Sequence, residues 1–91
     1  MDVTETAGYS NITASAAVRS GRGRLLGIFV ASASATPTIK VWDNTAASGA
    51  VIVNTFVPIG GVFYPIPARF ATGCYVTISG TVDCTVFTEL D

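Results

Sequence analysis

The chain has 91 residues, 49% of them hydrophobic and 12% charged, with a formal net charge of −1 and no histidine. That length fits one domain burying only about 60–65% of the surface its unfolded form exposes. The apolar content exceeds the needs of so small a core and points to surface covered by partner subunits, while the weak negative charge offers no general attraction to nucleic acid or anionic membrane.

Residues 1–11 (MDVTETAGYSN) are polar and aperiodic. They read as a flexible arm, or as a first edge strand that orders only against a neighbour, ahead of a single domain over residues 12–91. A first strand is expected over 12–18, ending at a turn over Ser20, Gly21, Arg22 and Gly23. Residues 24–32 (RLLGIFVAS) form a strong strand in which Gly27 marks a bulge or a close backbone approach. A loop over 33–37 leads to residues 38–43 (TIKVWD), with Ile39, Val41 and Asp43 on one face and Lys40 and Trp42 on the other.

After the turn-rich 44–49 (NTAASG), residues 50–58 are strand again, and Gly60-Gly61 is a hairpin signal. The strand over 62–66 carries Pro65, which cannot donate to a ladder, and Pro67 follows; the strand is therefore short or lies at an edge. A turn over 70–73 precedes a last hairpin, 74–79 and 82–89 around Ser79-Gly80-Thr81, which sets Cys74 against Val86 and Val76 against Cys84. The two cysteines then lie diagonally, roughly 7 Å apart at Cα or more, and are expected as buried free thiols. Seven or eight short strands with turns every 8–12 residues predict an all-β fold, an antiparallel β-sandwich of jelly-roll type.

Chemistry-bearing residues are few. Arg19, Arg22 and Arg24, interleaved with glycine, are the one charge cluster. They suit a solvated turn, a contact with carboxylates on a protein partner, or a grip on phosphate, and the acidic chain argues against DNA. Gly21-Arg22-Gly23-Arg24 lacks the third glycine, the lysine and the helix of a nucleotide loop. Asp43-Asn44-Thr45 lacks the later ligands of a calcium loop and reads as a turn capped by its own Asp and Asn side chains. Without histidine nothing activates the serines and threonines, and zinc lacks four ligands. No catalytic residue, metal or cofactor is expected, and the chain is read as non-enzymatic. Trp42 and Tyr75 sit opposite the apolar parity of their strands, the pattern of interface anchors, of a sugar-stacking platform, or of strands buried on both faces.

Several pieces carry a resemblance: 25–29, 39–44 with Ala47-Ser48-Gly49, 57–61, 70–73 with Tyr75-Val76, and 78–86. In this order and spacing, over residues 16–87, they resemble small virion proteins of tailed bacteriophages. The resemblance implies a compact β-sandwich in the mature particle, as capsid decoration (cement) or at the neck, tail or baseplate. The expected role is passive: binding to the major capsid protein or other virion proteins, as a homo-oligomer with a trimer favoured. Direct nucleic-acid or membrane contact is not expected. The contact residues expected from the sequence are the arm, Arg22, Arg24, Trp42 and Tyr75, and a glycan-binding module is the alternative. No apolar run approaches the roughly 20 residues of a spanning helix, and no signal peptide is expected.

Overall fold

The computed structural model describes residues 7–90. Six strands form one antiparallel sheet: β1 (Ala7–Ile12), β2 (Ala16–Ser20), β3 (Gly23–Asp43), β4 (Ala50–Phe56), β5 (Val62–Phe70) and β6 (Gly73–Leu90). Helix is absent among the described residues. The all-β, antiparallel expectation therefore holds. The strands number six because the expected pairs 24–32 with 38–43, and 74–79 with 82–89, run together as the long strands β3 and β6.

β3 and β6 pair with each other along their whole length and carry different flanking strands on their two halves. Residues 23–30 of β3 pair with β5, while residues 84–89 of β6 pair with β1. This gives a first half-sheet in the order β5, β3, β6, β1. Residues 39–43 of β3 pair with β4, and residues 73–76 of β6 pair with β2, giving a second half-sheet in the order β4, β3, β6, β2. Leu25, Ile28 and Val30 join Val82, Cys84 and Val86 from the first half, and Ile39 and Val41 join Cys74 and Val76 from the second, in one buried cluster with Phe70. One cluster fed by both halves requires the sheet to fold at the middle of β3 and β6, so that period-2 alternation puts one face of each half inside.

The bend has a local cause. Ser34 pairs with Thr81 and Thr38 with Ser79, so Ala35, Thr36 and Pro37 stand opposite Gly80 alone. Ala35 and Thr36 both adopt φ of 58°, and Gly80 adopts φ of 78°. Three residues against one make a bulge, which bends both strands together. The expected last hairpin is thus corrected: residues 79–81 bend a continuous strand, Cys84 lies opposite Val30 and Val76 opposite Val41. Cys74 and Cys84 lie ten positions apart on the same strand, β6; both are free and fully buried. Burial raises the thiols to about 12 and about 11, respectively, with the Asp43 charge adding to Cys74 and the Asp83 charge to Cys84.

The Gly60-Gly61 hairpin is corrected too. Gly61 does turn the chain, with φ of 84°, but β4 and β5 each pair with β3 rather than with each other. The segment therefore carries the chain from the second half to the first. The proline-bearing strand lies at an edge, as one of its two readings had it, and extends to Phe70. At the other terminus the 1–11 arm is strand from Ala7 onward, paired with β6; residues 1–6 lie outside the described residues.

Asp43 does not cap its own turn. Asn44 does that, donating to the Ser48 carbonyl at 2.9 Å and accepting from Thr45 N–H at 2.8 Å. The Asp43 carboxylate instead accepts from the N–H groups of Ala71 (3.1 Å), Thr72 (2.9 Å) and Gly73 (3.4 Å), clipping the β5–β6 turn to the end of β3. Burial pulls this carboxyl upward, but the amides of Thr72, Ala71 and Gly73 outweigh it and hold it below its ordinary value of 3.8. A pKa lowered on folding gives stability present above about pH 4 and lost as pH falls through the folded value. Asp43→Ala is expected to cost ~1–2 kcal/mol at pH 7 and to flatten the acid limb of stability. Urea unfolding at neutral and acid pH measures both, and equal acid limbs in the two proteins would remove this role.

Candidate functional site

The outward face of the first half-sheet is built from three cross-strand rows. Register places Phe63, Phe29, Thr85 and Asn11 side by side across β5, β3, β6 and β1. The next row is Pro65, Gly27, Phe87 and Tyr9, and the third is Arg69, Arg24, Glu89 and Ala7. Phe63, Phe29 and Phe87 alternate with the inward Val62, Ile28 and Val86, so strand parity alone turns them outward. The bulge between Leu25 and Gly27 adds Leu26 to the same surface.

Gly27 makes the cluster possible. A Cβ there would lie 2.5 Å from Cζ of Phe63 and 2.7 Å from the Tyr64 carbonyl oxygen. The Phe63 ring therefore lies across the glycine, toward Phe87, which it meets edge to face at a centroid distance of 6.1 Å. Leu26, Phe29, Phe63 and Phe87 line an open, wholly apolar groove of about 430 Å³. Phe29 is 39% exposed, Phe63 48% and Tyr9 75%.

Polar pairs bound this face at both ends. Arg24 forms an ion pair with Glu89 at one end. At the other, Asn11 donates to Asp83 at 2.8 Å and to the Cys84 carbonyl at 3.0 Å. An apolar centre with a polar rim is the anatomy of a protein-docking surface.

The residues expected from sequence fall on different surfaces. Arg24 lies on the rim just described, and Arg22 sits in the β2–β3 turn, lining a depression with Arg69, Phe70 and Ala71. Trp42 and Tyr75 are brought together, in the row Val51, Trp42, Tyr75, Ala17 of the second half-sheet. Their parity is outward, opposite the buried Ile39, Val41, Cys74 and Val76. Trp42 is engaged by its own neighbours: its Nε1–H donates to Thr77 Oγ1 at 2.9 Å, and the Lys40 ammonium lies 4.3 Å from the ring centroid. Lys40, which the sequence puts on the same face as Trp42, thus covers the indole.

Sequence reasoning did not single out Phe29, Phe63 or Phe87 as surface residues, whereas Tyr9 lies in the 1–11 arm that it named as a contact. The signal was present, since each of the three phenylalanines falls opposite the apolar parity of its strand, as Trp42 and Tyr75 do. The acids Asp43, Asp83 and Glu89 each hold a structural bond, and among the described residues no three His, Cys, Asp or Glu side chains could gather round a metal ion. Compared with protein-family models, curated proteins and solved structures, the chain has no match.

Proposed function

We propose that this protein is a structural, non-catalytic virion protein of a tailed bacteriophage, most plainly a capsid decoration (cement) protein that docks on the shell through the aromatic face. The observation that carries the reading is that face: Leu26, Phe29, Phe63 and Phe87 gathered outward around Gly27, with a polar rim. Exposed apolar clusters of this kind mark protein–protein contact, and the resemblance over residues 16–87 supplies the virion setting. The partner is the major capsid protein or another virion protein, and the domain works as a small homo-oligomer without direct contact to nucleic acid or membrane. The mechanism is linkage: a domain that binds only the assembled shell stabilises it against rupture.

The same proposal takes the fold as an eight-stranded jelly-roll sandwich. If each bent strand supplies two strands, the orders β5, β3, β6, β1 and β4, β3, β6, β2 become two four-stranded layers. The connections then cross from layer to layer at every step except the β3 and β4 pairing, which favours a jelly roll over a meander.

Quantitative mass spectrometry of purified virions tests the function. Copies in the hundreds, commensurate with the shell, are expected. A dozen copies would move the protein to the neck, tail or baseplate, and absence from virions would overturn the reading. A glycan platform at Trp42 and Tyr75 is the second reading, favoured by their adjacency. The Lys40 ammonium over the indole counts against it, because a stacked sugar needs that ring face.

A further inference from the structure

The four arginines of the chain converge at one end of the folded sheet. Arg19 lies near the end of β2, Arg22 in the β2–β3 turn, Arg24 at the start of β3 and Arg69 at the end of β5. The β2–β3 and β5–β6 turns are joined there by Gly21 N–H donating to the Thr72 carbonyl at 2.8 Å. Arg19 is turned inward, and its Nε–H donates to Oγ1 of the buried Thr88 at 3.1 Å. Arg22, Arg24 and Arg69 are exposed.

These three form one basic margin. Arg69 stands directly opposite Arg24 across β5 and β3, and Arg22 and Arg69 line a depression of about 270 Å³ with Phe70 and Ala71. Like charges opposed on paired strands are destabilising. Glu89 pairs with Arg24 from the β6 side, so the row Arg69, Arg24, Glu89 keeps an excess of positive charge. A guanidinium has five N–H donors, so contacts within the chain leave donors for a further carboxylate. The margin also adjoins the aromatic groove. Glu89, in the arginine row, is two positions from Phe87 on β6, a spacing of about 7 Å.

We propose that the arginine margin and the aromatic groove are one docking site whose occupant is an acidic protein surface. Its apolar side chains enter the groove, and its carboxylates are held by Arg24, Arg69 and Arg22. This rests on the docking role already proposed for the aromatic face and adds the chemistry of the partner. Guanidinium forks match carboxylate and phosphate alike. The groove decides between them: Leu26, Phe29, Phe63 and Phe87 require apolar side chains beside the anion. A polypeptide supplies both within a few residues, and a phosphate backbone does not. Glu89 in the same row and the net charge of −1 also disfavour a polyanion. Charge at one end of an apolar patch fixes the orientation of the partner and speeds encounter.

Rebinding of the full chain to phage heads stripped of it, at low and high salt, tests this. Arg22→Glu with Arg69→Glu is expected to weaken rebinding about 10-fold or more at low salt. The difference should largely close near 1 M NaCl, where the Debye length is about 3 Å. Arg22→Lys with Arg69→Lys keeps the charge and should rebind nearly as well as the unmodified chain. A reversal without effect, or a loss that salt does not relieve, overturns the carboxylate grip and leaves the aromatic docking standing. No rebinding by the unmodified chain overturns the docking role itself, and the carboxylate grip with it. Retention of a DNA duplex by the unmodified chain, lost on reversal, would assign the arginines to phosphate and overturn the proposal.

Discussion

Gly80→Ala is expected to lower the stability of the domain by about 2–5 kcal/mol, a large share of the 5–15 kcal/mol typical of such folds. Two costs add. At φ of 78° an L-residue loses roughly 1–2 kcal/mol against glycine. The added methyl would also lie 2.6 Å from the Ala35 carbonyl oxygen, 2.9 Å from the Pro37 Cα and 2.9 Å from the Thr36 carbonyl oxygen. All three are backbone atoms of the bulge that bends β3, so no side chain can swing aside, and overpacking of this kind costs about 1–3 kcal/mol. Gly61→Ala is the matched control, since Gly61 has a φ of 84° but nothing within 4 Å of the added Cβ. Urea midpoints of the two variants separate strain from crowding. If Gly80→Ala is no worse than Gly61→Ala, the corner is not held by this contact.

If the protein decorates a phage shell as proposed, the double substitution Phe29→Ser with Phe63→Ser is expected to weaken its rebinding to heads stripped of it by about 100-fold or more. Central aromatic anchors each carry ~2 kcal/mol or more of binding. Both rings are partly in water, at 39% and 48% exposure, so the variant is expected to fold with a lowered melting temperature, and rebinding is measured well below it. Tyr75→Ser, on the other half-sheet, should leave rebinding intact. The reverse pattern, with Tyr75→Ser abolishing rebinding and the phenylalanine pair tolerated, would transfer the docking surface to the row of Trp42.

The same comparison shows how much of the site was legible beforehand. Trp42 and Tyr75 were singled out because their parity is opposite to Ile39 and Val41, and to Cys74 and Val76, and the structure does turn them outward side by side. Phe87 obeys the same rule against Cys84 and Val86, and Phe63 against Tyr64 and Ile66, yet large aromatics are assigned to cores by default. That default fails here because Gly27 vacates the middle of the row and lets the Phe63 ring lie flat outside the sheet. A glycine inside a strand signals a close approach, but only the neighbouring strand reveals which side chain makes it.

Local chemistry determined most strand segments, but not the first strand, expected over 12–18 and found as Ala7–Ile12 and Ala16–Ser20, and it determined which residues share a face. Residues 38–43 show this: their alternation by itself separates Ile39 and Val41 from Lys40 and Trp42. Tertiary structure decided what each punctuation mark does. Ser79-Gly80-Thr81 and Gly60-Gly61 look alike as turn signals. The first bends a strand that continues along β3, and the second carries the chain from one half-sheet to the other. Positive φ is a local steric property of glycine, whereas reversal or bending depends on which distant backbone takes up the hydrogen bonds on either side. Those partners, such as Val30 for Cys84 and Val41 for Val76, lie more than thirty residues away, and only the folded sheet assigns them.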